Sequence, residues 1–283
     1  MNPNAILPAR WHMPHWRILC YHGVPDGCTD NFNDQLKCMS DLGFHFVSLS
    51  EGLKQLNGRA LSERMVTLTF DDVEATTFTN AIPILNRLHI QATLYIIADF
   101  VRTRSCYRTS GKPPAISIEQ VREAIKMGHE VGSHTLTHAP LRYCSRERAQ
   151  QELVTSKEVL ELWCQVKVKH FSYPWGQHSS GTRKLIVETG LYDSAATIER
   201  GRMFAAQDPF SLKRDSVCPH LMSPSAMVRI MKLADHWYWV ARLMRIFKKR
   251  TWRNVERWER LTDPQMAECC EPPEPKTREA DLS

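Results

Sequence analysis

The sequence predicts an α/β fold with parallel strands, most simply a (β/α) barrel, with an open doubly wound sheet as the alternative. Three observations predict it. Short β-rich runs alternate with helical patterns as far as about Val217. Polar residues recur just after those runs, where the strand ends of a parallel barrel meet at one mouth. No glycine-rich GxGxxG or P-loop follows any strand, so neither a nucleotide nor a nucleotide cofactor is expected.

The elements read in chain order. RILCY (17–21), HFVSL (45–49), VTLTF (66–70), ATLYII (92–97), HEVGSH (129–134), KHFSY (169–173), DSAAT (193–197) and LKRDSV (212–217) are the strand-like runs. Between the first two, NFNDQLKCMSDLG is a helix ending at Gly43, a C-cap signal. SEGLKQLNG follows, with Ser50 as the expected N-cap and Gly58 at its end. SIEQVREAIKMG closes in the same way at Gly128. SRERAQQELVTSKEVLELW is a long helix with Leu153, Leu160 and Trp163 at core spacings, and SGTRKLIVETG is another helix.

Composition narrows the class. The 283 residues can bury one large core, and the apolar and charged fractions are those of a globular protein. No stretch reaches the roughly 18 uninterrupted apolar residues of a membrane span. The start, MNPNAILPARWHMPHWRILC, carries three prolines and no apolar h-region, so no secretory signal is expected and the expected compartment is the cytoplasm. The nine cysteines contain no CxxC pair, which argues for reduced thiols over a disulfide framework or zinc ribbon.

The charge of +6 is unevenly spread: residues 229–261 hold ten Lys and Arg against three Asp and Glu. The remainder is near neutral, so a nucleic-acid partner is not expected. The expected organisation is an N-terminal arm (1–15), a barrel (16–222), a basic tryptophan-rich helical extension (223–261) and a disordered acidic tail (262–283). Trp237, Val240, Met244 and Phe247 share one helical face in the extension. Such a helix can rest on an anionic membrane surface, or pack on the barrel with its basic face in water.

The chemistry-bearing residues sit at strand ends. They are His22, Asp71 and Asp72, His134, and the run Tyr173–Pro174–Trp175–Gly176. His134 and His138 are four apart, close enough to share a turn or tight loop. Two imidazoles and one carboxylate make a ligand set for zinc or a similar divalent ion. That cation answers the repulsion between adjacent aspartates, one ligating and the other free to take a proton. Both can serve one site only if the strand ends there and the chain bends. Taken singly, an Asp pair can simply cap a helix, and an HxxxH pair is more often two ordinary histidines.

LTFDD, then HEVGSHTLTH, then SYPWG, with YHGV upstream, resembles the polysaccharide deacetylase family (carbohydrate esterase family 4) between about Leu19 and Val217. The resemblance implies a distorted (β/α) barrel of about seven parallel strands. It also implies metal-dependent removal of acetyl groups from N-acetylated sugars. By position, Asp71 resembles the catalytic base and Asp72, His134 and His138 the metal ligands. Zinc is the first expectation, with cobalt and nickel as alternatives.

Three departures from the family pattern stand out. Val73 replaces the usual glycine after the aspartates. Ser172 and Trp175 stand where an arginine and a tyrosine often sit, and Arg214 is the substitute expected for that arginine. The late Leu-x-His motif is absent, and His220 sits in the wrong context. LCYHGV instead is similar to the biofilm poly-N-acetylglucosamine deacetylases, whose barrel is permuted, and this assigns the acid role to His22. Tyr173, Pro174, Trp175 and Arg214 are expected to line the carbohydrate subsite, Tyr173 and Trp175 offering their rings and Trp175 its backbone N–H to the oxyanion. A sugar-binding protein of the same fold without catalysis, and a hydrolase of another non-peptide C–N bond, are the competing readings.

Overall fold

The computed structural model describes residues 14–58, 61–103, 113–220, 222–228 and 231. Its strands are β1 (His15–Tyr21), β2 (His45–Phe46), β3 (Arg64–Phe70), β4 (Ala92–Ile96), β5 (Glu130–Ser133), β6 (His170–Ser172), β7 (Ser194–Ala196) and β8 (Asp215–Ser216). The helices are α1 (Thr29–Asp41), α2 (Leu49–Leu56), α3 (Ile82–Arg87), α4 (Ala98–Thr103), α5 (Ile118–Lys126), α6 (Arg146–Cys164) and α7 (Ser180–Thr189). All eight expected strands are present, and α3 and α4 were not anticipated. β1 already starts at His15, the residue assigned to the end of the arm.

Every strand pairing is parallel, in the order β7-β6-β5-β4-β3-β1-β8. β2 pairs with the lower half of β3, below the point where β4 joins it. The segment entering β8 pairs on both sides: Leu212 bridges Ala196 of β7, and Asp215 and Ser216 pair with β1. That double pairing closes the sheet into the distorted barrel.

Strand alternation sorts the apolar side chains into two layers. Trp16 and Ile18 join Met65, Tyr95, Ala196, Met203 and Leu212 in the barrel interior. Leu19 and Tyr21 join Leu68 and Phe70 and the buried faces of the helices in the outer layer. α2 lies across the N-terminal end of the barrel. Its Gly52 sits against the Trp16 indole, where a Cβ would come within 2.4 Å, and its Ser50 bonds His170 at the start of β6. The α2 cap is Ser48, which accepts from the Glu51 N–H, and not Ser50 as expected. HFVSL therefore gives only a two-residue strand, because Ser48 already starts the helix.

The helix ends follow local chemistry. α5 opens with a capping box between Ser117 and Gln120, and Gly43, Gly128 and Gly190 take positive φ after α1, α5 and α7. Residues 224–228 are helical, and Met227 and Met231 are fully buried in the outer layer. The extension thus begins packed on the barrel, with the Gln35 amide donating to the Met222 carbonyl at 2.7 Å. The rest of the basic extension expected to meet a membrane surface, and the expected acidic tail, from residue 232 on, lie outside the described residues. No helix among the described residues is long and apolar enough to cross a membrane.

Candidate active site and metal centre

β3 ends at Phe70, and the chain bends sharply over the next three residues. Asp72 has φ +58° and Val73 φ +28°, left-handed values that a β-branched residue adopts only under strain, on the order of 1–3 kcal/mol. The bend is fixed from both ends: the Val73 N–H reaches the Asp71 carbonyl at 2.7 Å, and Ile116 N–H reaches the Val73 carbonyl at 2.9 Å. Val73 thus takes a backbone conformation that a glycine would adopt without strain. The bend is also what lets neighbouring aspartates face one site.

Asp72 meets the two histidines there. Its Oδ1 lies 3.4 Å from His134 Nε2 and 3.3 Å from His138 Nε2, and the two imidazole nitrogens are 3.2 Å apart. Among the described residues this is the cluster able to hold a metal ion. The edges fit an ion: tetrahedral zinc with bonds of about 2.0–2.1 Å separates its ligand atoms by about 3.3–3.4 Å. Asp72 Oδ1 is buried and has no hydrogen-bond donor among the described residues, as a ligand atom awaiting a cation would be.

The histidines are prepared for that role. His134 Nδ1 lies 2.8 Å from the Ser172 carbonyl, which can only accept, so Nδ1 carries the proton and Nε2 presents its lone pair. Burial pushes both His134 and His138 down to about 4, so each is a neutral ligand at neutral pH. His138 sits on a loop at φ +61°, with Thr135 at φ +68°. Fully buried Glu152 of α6 ties that loop down, accepting from the N–H groups of Leu136 and Thr137 at 2.9 and 3.0 Å and from the Thr137 hydroxyl at 2.7 Å.

Asp71 is the second carboxylate, also buried. Arg214 grips it with two bonds of 2.6 Å, one to each oxygen. Ser172 Oγ donates to Asp71 Oδ2 at 3.0 Å and accepts from Arg214 at 2.8 Å. Arg214 is itself anchored by the Thr197 carbonyl at 2.8 Å and Thr69 Oγ1 at 3.1 Å. Burial alone would raise the pKa of Asp71, but the Arg214 guanidinium outweighs it and holds the carboxyl well below the usual carboxylate range. His134 Nε2 is 3.9 Å from Asp71 Oδ2, so Asp71 and the candidate metal ligands share one chamber.

The other expected site residues divide. His22 follows β1 directly, half-buried, and is near enough for its charge to bear on both Asp71 and His138. Trp175, at φ +60°, sets its ring 5.0 Å from that of His138 and is partly exposed. Tyr173 and Arg214 require correction as substrate contacts. Tyr173 is fully buried, its hydroxyl donating to the Phe210 carbonyl at 3.1 Å and its ring stacked on His178. Arg214 is fully buried and spent on Asp71. Pro174 is buried as well. Of the four, only Trp175 offers surface to a ligand. Ser172 and Glu152 were missed as site residues; the signal for Glu152 is its place beside Ala149, Leu153 and Ser156 on the buried face of α6.

Comparison with known proteins agrees with this geometry. Residues 58–193 match the family model described as polysaccharide deacetylase. The Bacillus subtilis protein YxkH is 27% identical over 215 residues, covering 74% of this chain and 73% of YxkH. The Staphylococcus aureus poly-β-1,6-N-acetyl-D-glucosamine N-deacetylase is 26% identical over 169 residues, but only 56% of this chain and 57% of that protein are covered. Among solved structures, the Streptococcus pyogenes deacetylase PplD in complex with acetate superposes with a TM-score of 0.67 at 26% identity, over 77% of this chain and 99% of PplD. On this match of sequence and fold, residues 58–193 of the chain form a domain of the polysaccharide deacetylase family.

Proposed function

We propose that this chain is a metal-dependent deacetylase that hydrolyses the acetamide of an N-acetylated amino-sugar oligo- or polysaccharide. One observation carries the reading: a cluster of two neutral histidines and Asp72 faces a separate, ionised carboxylate that a guanidinium holds in place. A divalent ion such as zinc, cobalt or nickel bound by Asp72, His134 and His138 supplies Lewis acidity, drawing electron density from an amide carbonyl and acidifying a water molecule.

The residues of the chain do the rest. Asp71 takes the proton from the attacking water, and its strong pairing keeps it ionised and oriented for that transfer. Arg214 and Ser172 fix the direction of its lone pairs. The Trp175 N–H is assigned to the developing oxyanion and the Trp175 ring to one wall of the sugar subsite. His22 gives a proton to the departing amine, and the products are acetate and a free amino sugar. The printed names of the relatives, a poly-N-acetylglucosamine deacetylase and a deacetylase crystallised with acetate, support this substrate class.

The test is acetate release from chitooligosaccharides and from poly-β-1,6-N-acetylglucosamine by the metal-loaded protein. Wild type should release acetate. Asp71→Asn should lose about 10²–10⁴ of the rate while binding the same metal. A wild type that binds metal and sugar but releases no acetate from either polymer would favour the non-catalytic reading.

A further inference from the structure

The dipeptide Arg214–Asp215 sends opposite charges to opposite faces of the sheet. Arg214 points into the barrel and clamps Asp71. Asp215 points to the outer layer, where it meets Arg17 of β1 at 2.7 Å, both side chains being essentially fully buried. Arg17 also donates to the Met231 carbonyl in the segment that closes over this face. Arg214 stands just before β8, which is only two residues long, with Leu19 opposite Asp215 and Cys20 opposite Ser216. Outside that short ladder the backbone is held by the Arg214 N–H on the Glu199 carbonyl and the Val217 N–H on the Cys20 carbonyl, and a slip by one residue exchanges the two faces. Here that slip would bring Asp215 against Asp71 inside and Arg214 against Arg17 outside. Both encounters set like charges together in buried surroundings.

We infer that Asp215, paired with Arg17, is a positioning residue for the catalytic base: its ion pair fixes β8 in the register that lets Arg214 reach Asp71. The Met231 carbonyl links that register to the closing segment. The inference rests on the assignment of Asp71 as the base. It assigns a role to residues that touch neither substrate nor metal.

A double-variant cycle on the full-length, metal-loaded protein tests it, with kcat and KM for acetate release, bound metal and thermal midpoint measured for each variant. Asp215→Asn should lower kcat at least about tenfold with KM and metal content unchanged, at a temperature where all variants are folded. In an Arg214→Met background the same substitution should change kcat less than twofold, because the residue through which it acts is gone. Should Asp215→Asn not fold, Arg17→Met with Asp215→Leu replaces the pair by apolar groups and restores packing. That protein should still show the kcat defect. Wild-type kcat in either form, or a full additional loss on Arg214→Met, overturns the inference. A wild-type protein without deacetylase activity would refute the assignment of the base instead, and so is distinguishable.

Discussion

Asp71 is subject to opposing forces. Burial favours its neutral form, and the two-pronged contact with Arg214 favours the carboxylate more strongly. A guanidinium can satisfy both oxygens at once, whereas an ammonium is a single point charge. Arg214→Met should therefore leave a buried, unpaired carboxylate, costing about 3–5 kcal/mol of stability. It should also lower kcat about 100-fold through misplacement of the base. Arg214→Lys should recover stability in part and kcat hardly at all. Equal kcat per metal-loaded molecule in Arg214→Met and wild type would remove the orienting role. At this scale the Asp-Asp pair and the two histidines were legible because their spacing is local. Arg214 was legible from the family pattern as the substitute for the arginine missing at Ser172; the hydroxyl bond that Ser172 itself makes to Arg214 was not, because it joins β6 to the segment entering β8, 42 residues apart in sequence. The short serine side chain in place of an arginine goes together with an arginine arriving from the other side.

The loop between β5 and α6 shows how elements present single atoms. His134 follows β5 directly, and its ring is oriented by the Ser172 carbonyl of the neighbouring strand. His138 depends on a turn with positive φ at two non-glycine positions, held by Glu152 from α6. Glu152→Ala should free that turn. The expected outcome is a 10- to 100-fold weaker metal affinity, roughly what loss of a ligand-orienting partner costs, and about 1–3 kcal/mol of lost stability. Competition with a chromophoric chelator reads the first and denaturant unfolding the second. Unchanged affinity would make Glu152 structural only. The helix stretches were legible from caps and spacing. The cap at Ser48 was misplaced to Ser50 because both serines precede the same apolar pattern, and only the geometry shows which one accepts from Glu51. Tyr173 was misjudged for a related reason: an aromatic after a strand end reads as rim, yet here the turn folds its ring into the core.

On the scale of the whole molecule, the barrel has two ends with different chemistry. The mouth gathers Asp71, Asp72, His134 and His138. The opposite end is sealed by α2 and holds buried histidines, among them His129, which accepts from the Ala92 N–H at 3.1 Å. Burial holds His129 down to about 4 from an ordinary 6.5. Above 6.5 it is neutral folded or unfolded and adds no pH dependence. Between 6.5 and about 4 the unfolded chain binds the proton more readily, so stability falls as pH falls, by up to about 3 kcal/mol, and the loss levels off below 4. The thermal midpoint should drop across that window, and less steeply in His129→Gln, which keeps an acceptor but does not titrate. An identical pH slope in the two proteins would exclude His129 as a source. The alternation of strands and helices made the barrel legible. Its closure was not legible, because one segment pairs with β7 at Leu212 and with β1 at Asp215, and no local pattern marks such a switch.

The proposed chemistry depends on Asp72, His134 and His138 gripping one cation. Titration of the metal-free protein with cobalt(II), followed by visible absorption, tests this most directly. Wild type should bind one equivalent with the ligand-field bands of a low-coordinate nitrogen and oxygen site, and His138→Ala, still folded by circular dichroism, should lose them. Absence of those bands in wild type, or their persistence in His138→Ala, would contradict it.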